Sequence, residues 1–143
     1  MVSKIISLLN NLNKSKLNKL VSEIRNIKIG RSDISKYINF NNNVYTKNLV
    51  YRDKHSEIIL ICWDKNCKTK IHNHPENGCI MKILQGNLLE ERYDLNGRKL
   101  SEVSYSKNNV GYIHDDLYFH KIINSDEKTI SLHIYSPPNF YDD

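Results

Sequence analysis

From residue 44 onward the sequence is a succession of short β-type runs, and this pattern limits the possible folds more than any other feature. The runs are rich in Ile, Leu, Val and Tyr, and turn signals such as Asn96-Gly97 separate them. Many short strands without helices between them predict a β-sandwich or a small barrel. The predicted strands are residues 44–51, 57–63, 70–71 running into His72, 79–84, 88–93, 101–105, 111–113, 118–123 and 129–135.

The chain before residue 44 has the spacing of helices. Isoleucine and leucine recur at helical intervals in residues 3–12 and again in 15–27, where Ser15 is a suitable N-cap. Ser32-Asp33 is expected to cap a third short helix that ends near Ile38. The predicted organisation is one domain of residues 1–143, with helices in 1–40 that pack on a barrel in 44–138.

Composition narrows the class of protein. Hydrophobic residues make up 39% of the chain, and no apolar run approaches the roughly 20 residues that cross a bilayer. The N-terminus lacks a small-residue cleavage site, so a signal peptide is not predicted. Three cysteines, Cys62, Cys67 and Cys79, are an odd number. Reduced thiols and a cytoplasmic location are therefore expected.

The net charge of +5 does not indicate a nucleic-acid partner. Lysine and arginine are scattered from Lys4 to Lys128, and no stretch interleaves them with aromatic residues along a phosphate-binding track. We expect no nucleic acid and no membrane among the partners of this protein. The expected partner is a small molecule, bound by a monomer.

Histidines supply the candidate metal ligands. His72 and His74 lie two residues apart, so on a strand both imidazoles leave the same face. His120 lies on a β-type stretch among apolar residues and is expected to point inward as a third ligand. His114 adjoins Asp115-Asp116 in an apparent loop, and a surface position is favoured for it. Two histidines on a solvated strand face remain the alternative for an isolated H-x-H.

The last predicted strand separates polar from apolar side chains. Ser131, His133 and Tyr135 alternate with Ile130, Leu132 and Ile134. If the polar trio faces the interior, its members must be hydrogen-bonded or serve a ligand. Strand alternation alone favours the opposite arrangement, in which the trio is solvated and the aliphatic residues form the core.

The joint set of motifs resembles a known family. The H-x-H and the later H-x-x-x-N, which begins at His120, are similar to the two cupin motifs, and Cys79 stands where cupins usually carry glutamate. With this cysteine the sequence resembles the cysteine dioxygenase (type I) family of the cupin superfamily. The resemblance covers roughly residues 44–138. It rests on YTKNLV from Tyr45, ICW from Ile61, LQGN from Leu84 and SLHIYSPP from Ser131.

The resemblance implies a fold and a chemistry. The fold is mainly β, a small cupin-type, jelly-roll-like β-barrel with two or three short N-terminal helices. The activity is oxidation of L-cysteine by O2 to cysteine sulfinic acid at non-haem Fe(II). The implied site residues are His72, His74 and His120 as metal ligands, Cys79 and Tyr135 as a thioether crosslink, Tyr135, His133 and Ser131 as catalytic residues, and Tyr45 and Lys47 as substrate contacts. Three neutral ligands leave the iron charge uncompensated, which suits an anionic thiolate substrate.

One departure from the family leaves the substrate open. Lys47 stands where the family has an arginine for the substrate carboxylate, and lysine keeps the charge but loses the planar two-pronged fit. The sequence also ends soon after Pro138, whereas the family usually continues further. The alternatives are therefore a dioxygenase for another small thiol, 3-mercaptopropionate or cysteamine, and a non-enzymatic metal-binding cupin.

Overall fold

A computed structural model describes residues 2–12, 17–114 and 117–139 of the chain. These residues form short helices followed by β-strands, as the sequence pattern predicts. The helices are α1 (Val2–Leu12), α2 (Val21–Asn26) and α3 (Arg31–Ile34), with short 3-10 helices at Leu17–Leu20 and Ser35–Tyr37. The strands are β1 (Tyr45–Arg52), β2 (Glu57–Trp63), β3 (Cys79–Gln85), β4 (Asn87–Tyr93), β5 (Lys99–Ser106), β6 (Val110–Ile113), β7 (Phe119–Asn124) and β8 (Thr129–Tyr135).

The strands form two antiparallel sheets. One sheet has the order β1-β2-β8-β3-β6 and the other has the order β5-β4-β7. An apolar cluster that includes Trp63 and Met81 from the first sheet and Leu88 and Ile122 from the second fills the space between them. The mainly β fold with short N-terminal helices is thus confirmed. The two sheets are not closed into a continuous barrel.

The larger sheet is buried on both faces, because the N-terminal helices cover the face that points away from the smaller sheet. Every residue of β2 and β8 is buried. Ile58 of β2 and Leu132 of β8 pack on this outer face with Ile5 and Leu9 of α1 and Ile24 of α2. The aliphatic face of β8 is therefore the helix-covered face, and its polar face is turned toward the second sheet.

A buried lysine joins the helical layer to the sheet by hydrogen bonds. The Lys82 side chain on β3 is inaccessible to solvent, and its ammonium donates hydrogen bonds to the carbonyl oxygens of Ile24 (2.9 Å), Arg25 (3.2 Å) and Ile27. These carbonyls lie at the end of α2, where backbone acceptors lack partners within the helix and a positive charge is favourable. Burial lowers the pKa of Lys82.

Three local predictions need correction or lie outside the described residues. The strand predicted at residues 70–71 is wrong: the connection between β2 and β3 has no strand of its own, and it pairs with β7 through isolated bridges at Lys68 and His72. The cap of the third helix is Gly30 and not Ser32-Asp33: the Gly30 N–H donates to the Asp33 carboxylate (2.7 Å), and the helix begins at Arg31. The predicted cap Ser15 lies outside the described residues. No helix in the described ranges is long and apolar enough to cross a membrane.

Candidate metal centre

Three imidazoles meet between the two sheets. His72 and His74 come from the connection that precedes β3, and His120 comes from β7 of the smaller sheet. The Nε2 atom of His120 lies 2.8 Å from Nε2 of His72 and 2.9 Å from Nε2 of His74. The three donor atoms all lie within 4.8 Å of one another. The H-x-H histidines therefore converge although their segment is not a regular strand.

The donor set fits a divalent transition metal. Metal–nitrogen bonds of about 2.1 Å at right angles would hold neighbouring nitrogens roughly 3 Å apart, close to the two shorter spacings in the cluster. Burial lowers the pKa of His72, His74 and His120, the last with further contributions from His72 and Arg92. The rings are therefore neutral near pH 7, which is the form that binds a metal.

Hydrogen bonds set the tautomer of two rings. The Nδ1–H of His120 donates to Oε2 of Glu90 (2.8 Å), and the Nδ1–H of His72 donates to the carbonyl oxygen of Lys70 (2.9 Å). Each bond directs the proton to Nδ1 and leaves Nε2 as the donor atom toward the cluster centre. A carboxylate behind a ligand histidine is a recurrent arrangement that orients the ring and raises its basicity.

Glu90 belongs to a buried polar network. Its Oε1 accepts hydrogen bonds from Arg92 Nε (2.7 Å) and from the hydroxyl of Tyr105 (3.1 Å). Neither Glu90 nor Arg92 was among the predicted site residues. Strand alternation could have found them, because Leu88, Glu90 and Arg92 share one face of β4 and Leu88 marks that face as buried. Two opposite charges on a core-facing side indicate a buried pair.

We expect Glu90→Gln to weaken metal binding by about 10- to 100-fold, which is the usual effect of losing such a supporting group. Glutamine can still accept the His120 Nδ1–H bond but carries no charge to increase the basicity of the ring. Competition with a chelator in metal titrations measures the affinity. Glu91→Gln is the matched control, because Glu91 bonds Tyr93 and Lys99 instead. Equal affinities of the two variants would contradict this role for Glu90.

A cavity of about 310 Å³ opens beside the histidines. Among the predicted site residues, those that line it are His72, His120, Cys79, Tyr135, His133, Tyr45 and Lys47. The aromatic rings of Tyr45 and Trp63 are in contact there, with centroids 5.0 Å apart. The structure thus brings together residues from β1, β2, β3, β7 and β8.

The polar face of β8 forms a hydrogen-bonded series. The indole N–H of Trp63 donates to Ser131 Oγ (2.8 Å), Ser131 Oγ lies 2.7 Å from Nε2 of His133, and Nδ1 of His133 lies 3.3 Å from the Tyr135 hydroxyl. An indole N–H can only donate, so the Ser131 hydrogen is available to His133 Nε2. The His133 proton then lies on Nδ1 and is donated to the Tyr135 oxygen.

Burial keeps this series neutral and dry. The pKa of His133 falls to about 3, first because the ring is buried and then because of the charges of His120, His72 and Lys47. Ser131 is completely inaccessible to solvent. The expectation from alternation, that Ser131, His133 and Tyr135 face solvent, is therefore wrong, since the helices cover the aliphatic face and the trio points into the interior.

Cys79 and Tyr135 are directly opposite each other on β3 and β8. Residues in such a pair have Cβ atoms about 4.5–5.5 Å apart, so their side chains are neighbours on one face. Both side chains are buried. The pKa of the Cys79 thiol is raised by burial and by the charge of Glu90, which a hydrogen bond with the Tyr135 side chain partly opposes. The thiol is therefore protonated at neutral pH.

The predicted surface position of His114 is wrong. Its side chain is largely buried at the end of β6, with Nε2 in hydrogen-bond contact with the carbonyl oxygen of Glu76. The connection between β2 and β3 folds back over this ring, an arrangement that local sequence does not reveal. Within the described residues, His114 does not belong to the three-histidine cluster.

The chain matches a known protein family over most of its length. A family model described as "Cysteine dioxygenase type I" matches residues 2–142. The chain is 32% identical over 111 residues to cysteine dioxygenase type 1 of Rattus norvegicus, covering 71% of this chain and 56% of that protein. It is 31% identical over 132 residues to the Danio rerio protein of the same name, covering 82% of this chain and 66% of the relative. The match therefore spans little more than half the length of the rat protein.

Solved structures support the fold independently. A double-stranded β-helix domain protein from Klebsiella pneumoniae superposes with a TM-score of 0.63 at 14% identity, covering 80% of this chain and 91% of the other. A cupin superfamily protein from Desulfitobacterium hafniense superposes with a TM-score of 0.57 at 15% identity, covering 69% and 83%. At such identities the likeness concerns the fold alone.

Proposed function

Because this chain belongs to the cysteine dioxygenase type I family, we propose that it is an iron-dependent thiol dioxygenase that converts L-cysteine and O2 to cysteine sulfinic acid. The observation that carries the proposal is the cluster of three neutral imidazoles beside a cavity that also contains a lysine and the Cys79–Tyr135 pair. The reaction adds both oxygen atoms to sulfur, so RSH and O2 give RSO2H.

We propose that His72, His74 and His120 hold Fe(II) through their Nε2 atoms. When bound, iron supplies what no side chain can, a site for the thiolate sulfur and activation of dioxygen toward it. Zinc suits the same three donors but has no redox chemistry. The protein's own contribution is to keep the three rings neutral and oriented, through burial and through the bonds from His120 to Glu90 and from His72 to Lys70.

Lys47 and Tyr45 are the proposed substrate contacts on β1. Lys47 lines the cavity and offers an ammonium for the substrate carboxylate. Its point charge holds one oxygen at a time, so orientation is less strict than with a guanidinium. Tyr45, whose pKa burial raises, remains a neutral hydrogen-bond donor beside Trp63. Lys47 would contact the carboxylate of the substrate and no other group. The second candidate substrate is therefore 3-mercaptopropionate, which has a carboxylate, and the third is cysteamine, which lacks one.

Tyr135 is the proposed positioning donor inside the cavity. The series from Trp63 through Ser131 and His133 donates to its oxygen and orients the hydroxyl at the wall of the cavity. Apolar side chains of Ile61 and Ile122 line the same cavity and limit access of water. A dry site strengthens every hydrogen bond and charge contact made to the substrate.

We also propose that Cys79 and Tyr135 become joined by a thioether between Sγ and the ring carbon next to the hydroxyl. The new C–S bond replaces one S–H and one C–H bond, and dioxygen is the oxidant that accepts the two electrons and two protons. Intact protein after turnover with iron, cysteine and air is expected to be lighter by two hydrogen atoms in a fraction of molecules. Cys79→Ser and Tyr135→Phe should each abolish this loss. A wild-type mass that does not change would contradict the crosslink.

The proposed setting is a cytoplasmic monomer that handles a small thiol. Within the described residues Cys62, Cys67 and Cys79 are buried and form no disulfide, which suits a reducing compartment. Size-exclusion chromatography with light scattering tests the oligomeric state.

The decisive experiment supplies purified protein with Fe(II) and offers L-cysteine, 3-mercaptopropionate and cysteamine separately in air. The expected result is sulfinate from L-cysteine, with one O2 consumed per thiol, and little or none from cysteamine. Protein loaded with zinc is the control and should consume no oxygen. Iron-loaded protein that makes no sulfinate from any of these thiols would overturn the proposal in favour of a non-enzymatic metal-binding cupin.

A further inference from the structure

We propose that Thr69 is a positioning residue of the metal centre: its hydroxyl holds the Lys70 carbonyl in place, and this carbonyl orients the His72 ring. The inference rests on the proposed function, because it takes the three histidines as the metal ligands. It adds a residue that is not a ligand itself and whose effect on the metal is transmitted through His72.

The connection before β3 pairs with β7 with one extra residue. The bridges Lys68–Ile123 and His72–His120 are four residues apart on the connection and three residues apart on β7. Such a bulge bends the chain and re-aims a side chain, and bulges are frequent beside active sites. The extra residue lies within the segment 69–71, directly before His72.

The Thr69 hydroxyl lies between two backbone groups that a regular ladder would join. His72 and His120 exchange both backbone hydrogen bonds, at 3.0 and 3.4 Å. Two residues further on, the Ile122 N–H of a regular antiparallel ladder would donate to the Lys70 carbonyl oxygen. Instead the Ile122 N–H donates to Thr69 Oγ1 (3.0 Å), and the Thr69 hydroxyl donates to the Lys70 carbonyl oxygen (2.8 Å).

The direction of each bond in this series follows from the groups themselves. A backbone N–H can only donate and a carbonyl oxygen can only accept, so the Thr69 hydroxyl accepts from Ile122 and donates to Lys70. The Lys70 carbonyl oxygen has a second lone pair, which accepts the Nδ1–H of His72 (2.9 Å). Thr69 also lines the cavity, but its one hydroxyl hydrogen is engaged by Lys70. The series therefore keeps the His72 proton on Nδ1 and leaves Nε2 for a metal.

Loss of the hydroxyl should change the partner of the Lys70 carbonyl. In Thr69→Val the N–H of Ile122, a buried residue, loses its acceptor, and a buried donor without an acceptor is unfavourable. We expect the Lys70 carbonyl to turn toward this N–H, as in a regular ladder, and away from His72. Nothing then favours Nδ1 over Nε2 as the protonated atom of His72, and a ring protonated on Nε2 cannot bind the metal there.

The ring ¹⁵N shifts of metal-free protein at neutral pH distinguish the two tautomers of each histidine. We expect the His72 proton on Nδ1 in the wild type and in Thr69→Ser, and a mixture of tautomers in Thr69→Val. The His120 tautomer, held by Glu90, should not change. An unchanged His72 in Thr69→Val, or an equal change at His120, would contradict the inference. A wild-type His72 protonated on Nε2 would refute it without any variant.

Zinc titration against a competing chelator measures the consequence for metal binding. We expect Thr69→Val to bind zinc about tenfold more weakly, at the lower end of the usual effect of losing a group that supports a ligand, and Thr69→Ser to stay within about twofold of the wild type. Thr46→Val is the matched control. The Thr46 hydroxyl also donates to a backbone carbonyl, that of Asn39, but Thr46 pairs with Cys62 on the helix-covered face of the sheet. Equal zinc affinities of the two valine variants would count against Thr69.

Turnover by the iron-loaded protein separates this inference from the function on which it rests. In Thr69→Val, sulfinate formation from L-cysteine should fall at limiting Fe(II), and saturating Fe(II) should restore kcat with KM for L-cysteine changed less than about twofold. A raised KM at saturating Fe(II) would indicate a substrate contact and would overturn the positioning role. If the wild type made no sulfinate from any thiol, the dioxygenase proposal would be refuted, and the His72 tautomer and zinc affinity would still support Thr69.

Discussion

Replacing His120 by alanine is expected to weaken metal binding by on the order of a hundred- to a thousandfold. Structural zinc sites with four ligands bind with roughly 10–16 kcal/mol, or about 3–4 kcal/mol for each ligand, which corresponds to this range. His120 is the ligand for which the effect should be clearest. It is the one contributed by the smaller sheet, and its Nε2 lies closest to both other donor atoms.

Two measurements check this expectation. Chelator competition gives the affinity, and the increase in melting temperature on addition of metal gives an independent value, since a ligand that binds only the folded state stabilises it. In His120→Ala the metal affinity should fall by this factor, and the increase in melting temperature at the same metal concentration should be correspondingly smaller. His55→Ala is the matched control, because His55 is exposed and outside the cluster. Metal affinity retained in His120→Ala would show that the three rings do not act as one site.

Metal-free protein should lose up to about 4 kcal/mol of stability between pH 6.5 and pH 5.5. The pKa values of His72, His74, His120 and His133 are all lowered by burial, and that of His133 reaches about 3. The unfolded chain takes up these protons from its ordinary pKa near 6.5 downward, whereas the folded chain does not. Each buried imidazole therefore costs about 1 kcal/mol over this interval, and stability rises again with pH.

Urea unfolding at several pH values between 7.5 and 5.5 tests this dependence. This window lies above the range in which ordinary carboxylates titrate, so histidines dominate it. His133→Gln should show a shallower dependence than the wild type. A free energy of unfolding that stays level across the window would contradict neutral burial of these rings. Saturating metal should raise stability most near pH 7 and progressively less as protons compete for the imidazoles.

Local pattern was sufficient for most of the strands. The predicted bounds of β2 and β8 are those of the structure, and the other strands differ by one or two residues at their ends. Apolar alternation and Asn- or Gly-containing turns act within a few residues, so they can be recognised without tertiary information. Local pattern did not predict the conformation of the H-x-H segment, because this segment pairs with β7 through isolated bridges and forms no strand of its own.

Local sequence pattern does not show which layer of the fold covers each face of a strand. Alternation on β8 separates Ser131 from Ile130 correctly, but both faces are buried once the helices pack on the sheet. The same limit explains the wrong position for His114. Glu90 was missed for a related reason, since its partner His120 lies thirty residues away and is brought near only by the pairing of β4 with β7. The convergence of the histidines was expected from the family resemblance more than from spacing.

Trp63 has a practical consequence for work on this protein. It is the single tryptophan of the sequence, it lines the cavity, and its indole is hydrogen-bonded to Ser131 and touches Tyr45. Fluorescence excited at the red edge of protein absorption therefore originates from one ring at the ligand pocket. Occupancy of the pocket can be followed by emission from unlabelled protein, with no coloured product or coupled assay.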